Sequence, residues 1–268
     1  MTETNRKRRH HRGRRRKKKA GNAGMLSNLI LVAAIVVFCV SGFQLIRIGK
    51  GYLDGRSEYE KVRDLAVDNP NEQEGFRVDF EELMKINPDT VGWIRFYPEP
   101  SQISYPIVQG ADNEEYLHKT FSANENTLGA IFLSADNKAD ISDRNTIIYG
   151  HRMRDGSMFR HLQDYEERSF WEENPYFYLY TPDGKEITYH IYSYAVVDAT
   201  SDTYLTSFAD DAAYQEFLDM TVETSAYDTG VEVGIDDTIV TLSTCTSASD
   251  ENRIVVRGVK EKEVELEE

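Results

Sequence analysis

The chain is poor in cysteine, with two in 268 residues. Cys39 lies inside a long apolar run, so it is no disulfide partner for Cys245, and a disulfide framework is excluded. Internal repeats and metal-ligand spacings are also lacking. The acids Asp136, Asp140 and Asp143 match no EF-hand loop and read as a solvated loop, so neither a metal nor a cofactor is expected. Strands do not alternate with helices in a βαβ rhythm, which argues against a doubly wound sheet. Beyond residue 50 positive charge is scarce. Residues 51–268 hold 18 Lys/Arg against 45 Asp/Glu, a balance of −27. A domain that acidic is a poor partner for a polyphosphate backbone, and nucleic-acid binding is discounted.

Positive charge is concentrated at the other end. Residues 1–50 carry 13 Lys/Arg and one Glu, a balance of +12, most of it between Arg6 and Lys19. Residues 25–46, MLSNLILVAAIVVFCVSGFQLI, carry no charge and are long enough to span a hydrocarbon core as a helix. No Ala-x-Ala cleavage signal follows, so the segment reads as an uncleaved signal anchor. The positive-inside rule then predicts a cytoplasmic arm and an extracellular domain. The expected organisation is a basic tail (1–24), an anchor (25–47), a helical juxtamembrane segment (48–78), a catalytic domain (79–260) and an acidic, frayed tail (261–268).

The ectodomain begins with a helical pattern over 52–68, broken at Asn69-Pro70-Asn71. Asp79–Met84 reads as a short capped helix ending near Asn87-Pro88. Strand patterns follow at 91–96, 103–108, 129–133 and 145–149. A helical turn is predicted over 113–118, another helix over 157–165, and one more turn near 170–174. Pro182-Asp183-Gly184 marks a hairpin between strands at 176–181 and 186–197. An amphipathic helix covers 208–224, and the last strands run over 236–244 and 252–260. About eight short strands with interspersed helices predict a mainly β barrel or sandwich with helical decorations.

Cys245 sits at the end of the apolar run Ile239–Leu242. A nucleophilic cysteine acts as thiolate, whereas a free thiol titrates near ~8.5, so it needs a proton-transfer partner. Of six histidines, His10 and His11 belong to the basic arm. His118 and His161 read as surface residues, and His190 as a packing residue in a Tyr-rich strand. His151 follows the apolar strand Ile147-Ile148-Tyr149 and Gly150, at a strand end where functional loops collect. Arg253 opens the next β-branched run. A guanidinium there suits an oxyanion, while an ion pair with Glu251 is the plain alternative. Position alone also leaves Cys245 open between nucleophile and inert buried thiol.

Thr241–Cys245, TLSTC, resembles the active-site signature of the sortases. NTIIYGHRMRDGSMF around His151 resembles the sortase histidine strand. Asp89–Ile94, Ser104–His118 and Leu128–Leu133 are similar in the same order. The likeness covers about residues 79–260, and the helix over 208–224 looks like the insertion that marks class B.

What the resemblance implies is a closed sortase-type β-barrel behind an N-terminal transmembrane helix, on the outer face of a Gram-positive membrane. Cys245 would attack the Thr carbonyl of an LPXTG-like C-terminal sorting signal in a surface protein. His151 would act as general acid and base, and Arg253 would stabilise the oxyanion. An amine of a cell-wall precursor would then resolve the thioacyl-enzyme. Anchoring is preferred to pilin polymerisation through a lysine, since no inhibitory lid segment is evident. Ser243 and Thr244 are candidate substrate-binding residues, with strand continuation as the alternative. Thr246 stands where some class B members carry an acid, so no side-chain role is carried over there. A membrane-anchored binding module with an inert cysteine, and a hydrolytic cysteine protease, are the competing functions.

Overall fold

The structure, a computed structural model, describes residues 23–246 and 251–266. The chain forms two compact units, residues 1–49 and 50–268. The described part of the first is the apolar portion of helix α1 (Ala23–Ala66). Its Leu, Ile, Val and Phe side chains between Leu29 and Ile46 are exposed, and it has the length and composition of a membrane-crossing helix or a signal sequence. The basic arm, residues 1–22, lies outside the described residues.

In the second unit α1 continues from Lys50 and buries Tyr59, Val62 and Ala66, the helical face that the apolar spacing predicts. Two-residue strands β1 (Val67–Asp68) and β2 (Arg77–Val78) pair beyond it. Neither is expected from so short a pattern. The loop between them wraps buried Arg95, whose guanidinium donates to the carbonyls of Glu72 (2.9 Å) and Pro70 (3.1 Å) and lies 4.0 Å over the Phe76 ring. Helix α2 (Phe80–Ile86) starts where its cap predicts, with Asp79 Oδ1 accepting from Glu82 N at 2.9 Å.

The rest is a closed eight-stranded barrel. Its strands are β3 (Thr90–Phe96), β4 (Ser104–Val108), β5 (Ile131–Leu133), β6 (Asn145–Tyr149), β7 (Tyr176–Thr181), β8 (Lys185–Asp198), β9 (Ile239–Cys245) and β10 (Asn252–Glu265). They close in the order β10-β8-β7-β3-β4-β5-β6-β9. Two contacts are parallel, β4 with β5 and β6 with β9. Closure leaves the barrel no open edge. The main apolar core includes Trp93, Phe96, Leu179 and Leu242, with the Phe96 and Phe177 rings stacked at 5.4 Å. A second apolar cluster forms outside the barrel, where helix α4 (Asp211–Glu223) lays Tyr214, Phe217 and Leu218 against Tyr192, Ile239 and Val259.

Most of the expected strands appear within a residue or two. Three expectations change. The helix over 157–165 is a 3-10 helix shifted to Arg160–Glu166, followed by α3 (Arg168–Glu173). The helix expected from Phe208 starts at Asp211, because Asp210 caps it through Ala213 N at 2.9 Å. The acidic segment expected to fray after Val259 continues β10 to Glu265, paired with the start of β8 as far as Lys185. The physical reason is the partner strand: β8 supplies backbone hydrogen bonds along the segment, Leu266 N donates to Gly184 O at 2.7 Å beyond it, and Lys185 Nζ lies 3.3 Å from Glu263. Residues 267–268 lie outside the described residues. Asp140 and Asp143 cap loop amides: Asp140 Oδ1 accepts from Ser142 N and Asp143 Oδ2 from Lys138 N.

Candidate active site

Strand β9 carries the cysteine, and its two neighbours carry the other predicted groups. On one side β10 runs antiparallel with Arg253 directly opposite Cys245. On the other, β6 runs parallel with Tyr149 beside Ser243, and Gly150 N donates to Ser243 O at 3.1 Å. His151 lies two residues past Tyr149, and Cys245 lies two past Ser243. Side chains two apart share a face, so the register sets His151 at the level of Cys245. All three residues, each half-buried, line one cleft of ≈ 240 Å³.

Two glycines shape the histidine's position. The sequence suggests Gly150 as a flexible turn, yet its backbone is not left-handed. Glycine is needed there because a Cβ would sit 2.4 Å from Ile131 and 2.7 Å from Phe159. Gly129 has φ +65°, and a Cβ on it would stand 2.6 Å from His151 Cδ2. The imidazole edge Cδ2–Nε2 therefore occupies the space that a side chain at 129 would fill. His151 Nε2 lies 2.7 Å from Leu117 O. A carbonyl only accepts, so Nε2 holds the proton and donates. That leaves Nδ1 as the ring atom for proton exchange.

Ser243 and Thr244 both line the cleft but differ in use. Ser243 Oγ is 2.9 Å from Tyr204 Oη. The Thr244 hydroxyl is buried and has no hydrogen-bond partner among the described residues. Arg253 Nη1 donates to Asn252 O at 3.2 Å. The other histidines stand apart: His118 is exposed, His161 pairs with Asp164 at 2.7 Å, and His190 lies between Tyr176 and Trp171.

The structure adds residues that sequence reasoning missed. Tyr204 and Tyr149 wall the cleft, with ring centroids 6.0 Å apart, and Phe132 continues the row 5.2 Å beyond Tyr149. Burial pushes the Tyr149 phenol up to about 12 and raises that of Tyr204, the latter despite its bond to Ser243. Both phenols are neutral at physiological pH and can donate. Behind them Arg257 is fully buried. Its guanidinium donates to Ser193 Oγ at 2.9 Å and Thr203 Oγ1 at 3.0 Å, and burial lowers its pKa. Asn145 Nδ2 also holds this segment, donating to Leu205 O at 2.9 Å. The signal for Arg257 was present: a charge within the run IVVRGV, four residues past Arg253 and so on its face. Tyr204 sits in an aperiodic loop and gave none.

The arrangement combines a half-exposed thiol, an imidazole with one nitrogen free for proton exchange and a guanidinium fork. That set suits acyl transfer through a covalent thioester.

Comparison with known proteins agrees. Residues 99–261 match the Sortase domain family. The chain is 34% identical to Sortase B of Staphylococcus aureus over 85% of this chain and 94% of that protein. The Staphylococcus aureus sortase B–substrate complex superposes with a TM-score of 0.66 at 32% identity, covering 77% of this chain and 96% of that one. A sortase B structure complexed with triglycine superposes with a TM-score of 0.63 at 34% identity, covering 70% and 86%.

Proposed function

Because the chain belongs to the sortase family and is a sortase B-type cysteine transpeptidase, we propose that Cys245, His151 and Arg253 carry its reaction. The observation that supports this most directly is the ladder register: Arg253 opposite Cys245 on one side of β9, and Tyr149-Gly150-His151 alongside Ser243-Thr244-Cys245 on the other.

The substrate is a C-terminal sorting signal, LPXTG-like, bound so that its Thr carbonyl carbon meets Cys245 Sγ. The Cys245 thiol proton passes to His151 Nδ1, the resulting thiolate attacks that carbon, and the carbonyl oxygen becomes an oxyanion. Arg253 donates to it, with the charge and fork geometry that a lysine lacks. As the tetrahedral adduct collapses, the C–N bond breaks. His151 passes its Nδ1 proton to the leaving amine, while Nε2 stays tied to Leu117 O. The thioester then meets an incoming amine, whose proton returns to His151 Nδ1. Nitrogen attack and loss of the Cys245 thiolate complete the new amide. The Tyr149–Tyr204 wall flanks the bound peptide, and Ser243, on the face of β9 that carries Cys245, is the candidate hydroxyl for its backbone, while the Thr244 hydroxyl is buried.

The acceptor is an amine of the cell-wall precursor. The sortase B complexed with triglycine makes an N-terminal glycine amine the first acceptor to try, with a lysine side-chain amine of a pilin as the competing one. The apolar part of α1 is the membrane anchor, with residues 1–22 in the cytoplasm and the barrel outside.

The test is acyl-enzyme trapping. Wild-type protein incubated with sorting-signal peptides, varied at every position except the Thr, should gain the mass of the acyl fragment, and Cys245→Ala should not. Release of the C-terminal fragment by Cys245→Ala would overturn the assignment. Product formed with triglycine but not with a lysine side chain would select wall anchoring. Product independent of any amine would indicate a hydrolase.

A further inference from the structure

His151 rests on two supports, Leu117 O and the face of Gly129. Both supports bound one loop, residues 117–129. The loop folds back on itself, with the backbones of Lys119 and Glu125 paired in an isolated antiparallel bridge and Asn126 N donating to His118 O at 2.8 Å. Its position relative to the barrel is therefore decided by whatever grips it from outside.

That grip comes from Asn87, whose Nδ2 donates to Phe121 O at 2.7 Å, and above all from helix α1 between Gly51 and Tyr59. Tyr59 is buried, and its hydroxyl joins the two arms of the loop: it donates to Gly129 O at 2.9 Å and accepts from Phe121 N at 3.2 Å. Glu58 takes the tip, its carboxylate accepting from Ser122 N at 2.9 Å, Thr120 Oγ1 at 2.9 Å and Asn124 Nδ2 at 3.3 Å. Nearer the start of the stretch, Gly51 O accepts from Asn126 Nδ2 at 2.9 Å. Gly55 admits Leu128 so closely that a Cβ there would lie 2.8 Å from Leu128 Cδ2.

A helix needs only its apolar face, here Val62 and Ala66, to dock on a barrel. Apolar contact is non-directional and tolerates sliding. Hydrogen bonds have direction and fix position. Here they converge on the one loop that seats the imidazole, and Tyr59 binds the carbonyl of the very glycine against which the ring lies.

We propose that the Gly51–Tyr59 stretch of α1 is a positioning element for His151, with Tyr59 as its positioning residue acting through Gly129. The inference rests on His151 being the acid/base group proposed above. It makes the helix that leads out of the apolar segment part of the active-site framework rather than a spacer. Loss of the Tyr59 hydroxyl frees Gly129 O and Phe121 N, lets the two loop arms separate and loosens the seat of the ring. Small displacements of a proton-transfer group are costly to turnover and cheap for binding.

The experiment compares full-length Tyr59→Phe, Val62→Ala and His151→Ala with wild type. It reads peptide transpeptidation, thermal stability and the NMR signals of 13C-labelled histidine, with the His151 signal identified by its loss in His151→Ala. Tyr59→Phe is expected to lower kcat about five- to tenfold, the scale of one hydrogen bond. KM should stay within about twofold, and the His151 signal should move. Val62→Ala lowers the melting temperature from the same helix without touching the polar path, and should leave kcat and the His151 signal unchanged. Wild-type kcat in Tyr59→Phe, or an unmoved His151 signal, would overturn the proposal. So would an equal loss of kcat in Val62→Ala. Activity retained in His151→Ala would instead remove the acid/base assignment, and the movement of the NMR signal would still decide whether Tyr59 seats the ring.

Discussion

Arg253 stands directly across the β9–β10 ladder from Cys245. Directly opposed residues have Cβ atoms about 4.5–5.5 Å apart, so the two side chains leave the same face of the ladder and no loop is needed to carry Arg253 to the thiol. The proposed oxyanion donor therefore stands on a strand paired with the one that carries the thiol, a rigid support.

This placement predicts the outcome of charge-preserving substitution. Arg253→Ala should lower kcat/KM about 10²- to 10³-fold, the usual loss for one oxyanion donor. Arg253→Lys should recover only part of it, because a single ammonium cannot reproduce the fork. Steady-state kinetics with a fluorogenic sorting-signal peptide measures both. Wild-type rates for Arg253→Ala would assign the oxyanion to other donors.

Gly129→Ala should damage the site without touching the barrel. The new Cβ would meet the His151 ring at 2.6 Å and Leu117 O at 2.9 Å, on a backbone with φ +65°. A non-glycine residue in that region costs about 1–2 kcal/mol. Transpeptidation should fall at least tenfold while the circular dichroism spectrum stays that of the native barrel.

Arg257 permits a graded test of burial. Arg257→Ala leaves the Ser193 and Thr203 hydroxyls without their donor and opens a cavity beneath Tyr204. The expected loss is about 3–5 kcal/mol in urea unfolding. Arg257→Met fills more of the volume and removes a buried charge, so its loss should be smaller. A larger loss for Met than for Ala would contradict this account.

The tyrosines set an alkaline limit. Burial raises the phenol pKa of Tyr149, Tyr116 and Tyr194 to about 12, and that of Tyr204 in the same direction. In the unfolded chain these groups ionise near 10. The unfolded state thus releases protons first as pH rises, and stability falls with increasing pH between about 10 and 12. Below pH 10 this contribution is fully present. Urea unfolding at pH 8, 10 and 11 should show a flat response followed by a drop. Absorbance near 295 nm should show several tyrosines that ionise only on unfolding.

Much of the fold was legible in the sequence because it is local. Short apolar, β-branched runs placed β3, β4, β6 and β7 within a residue and β9 within three, and the Asp79 cap and the Pro182-Asp183-Gly184 turn marked their elements. The extension of β10 was not legible: Lys262–Glu265 looks like a solvated acidic tail until β8 is seen beside it. Cys245, His151 and Arg253 stood out as strand-end chemistry, with TLSTC pointing to their family. Tyr204, Arg257 and Tyr59 did not, because their roles depend on partners 39, 64 and 70 residues away.

By itself the sequence determined the apolar helix, the strand faces, the family and the three residue types that suit acyl transfer. Each follows from periodicity, composition or a contiguous motif. Only the tertiary structure decided that β6 lies parallel to β9 while β10 lies antiparallel, which brings His151 and Arg253 to opposite sides of one thiol. It also set the imidazole against Gly129 and the Leu117 carbonyl, with the Tyr59 hydroxyl bonded to Gly129 O. Strand neighbours and loop supports are fixed by long-range packing and barrel closure, and no period along the chain encodes them.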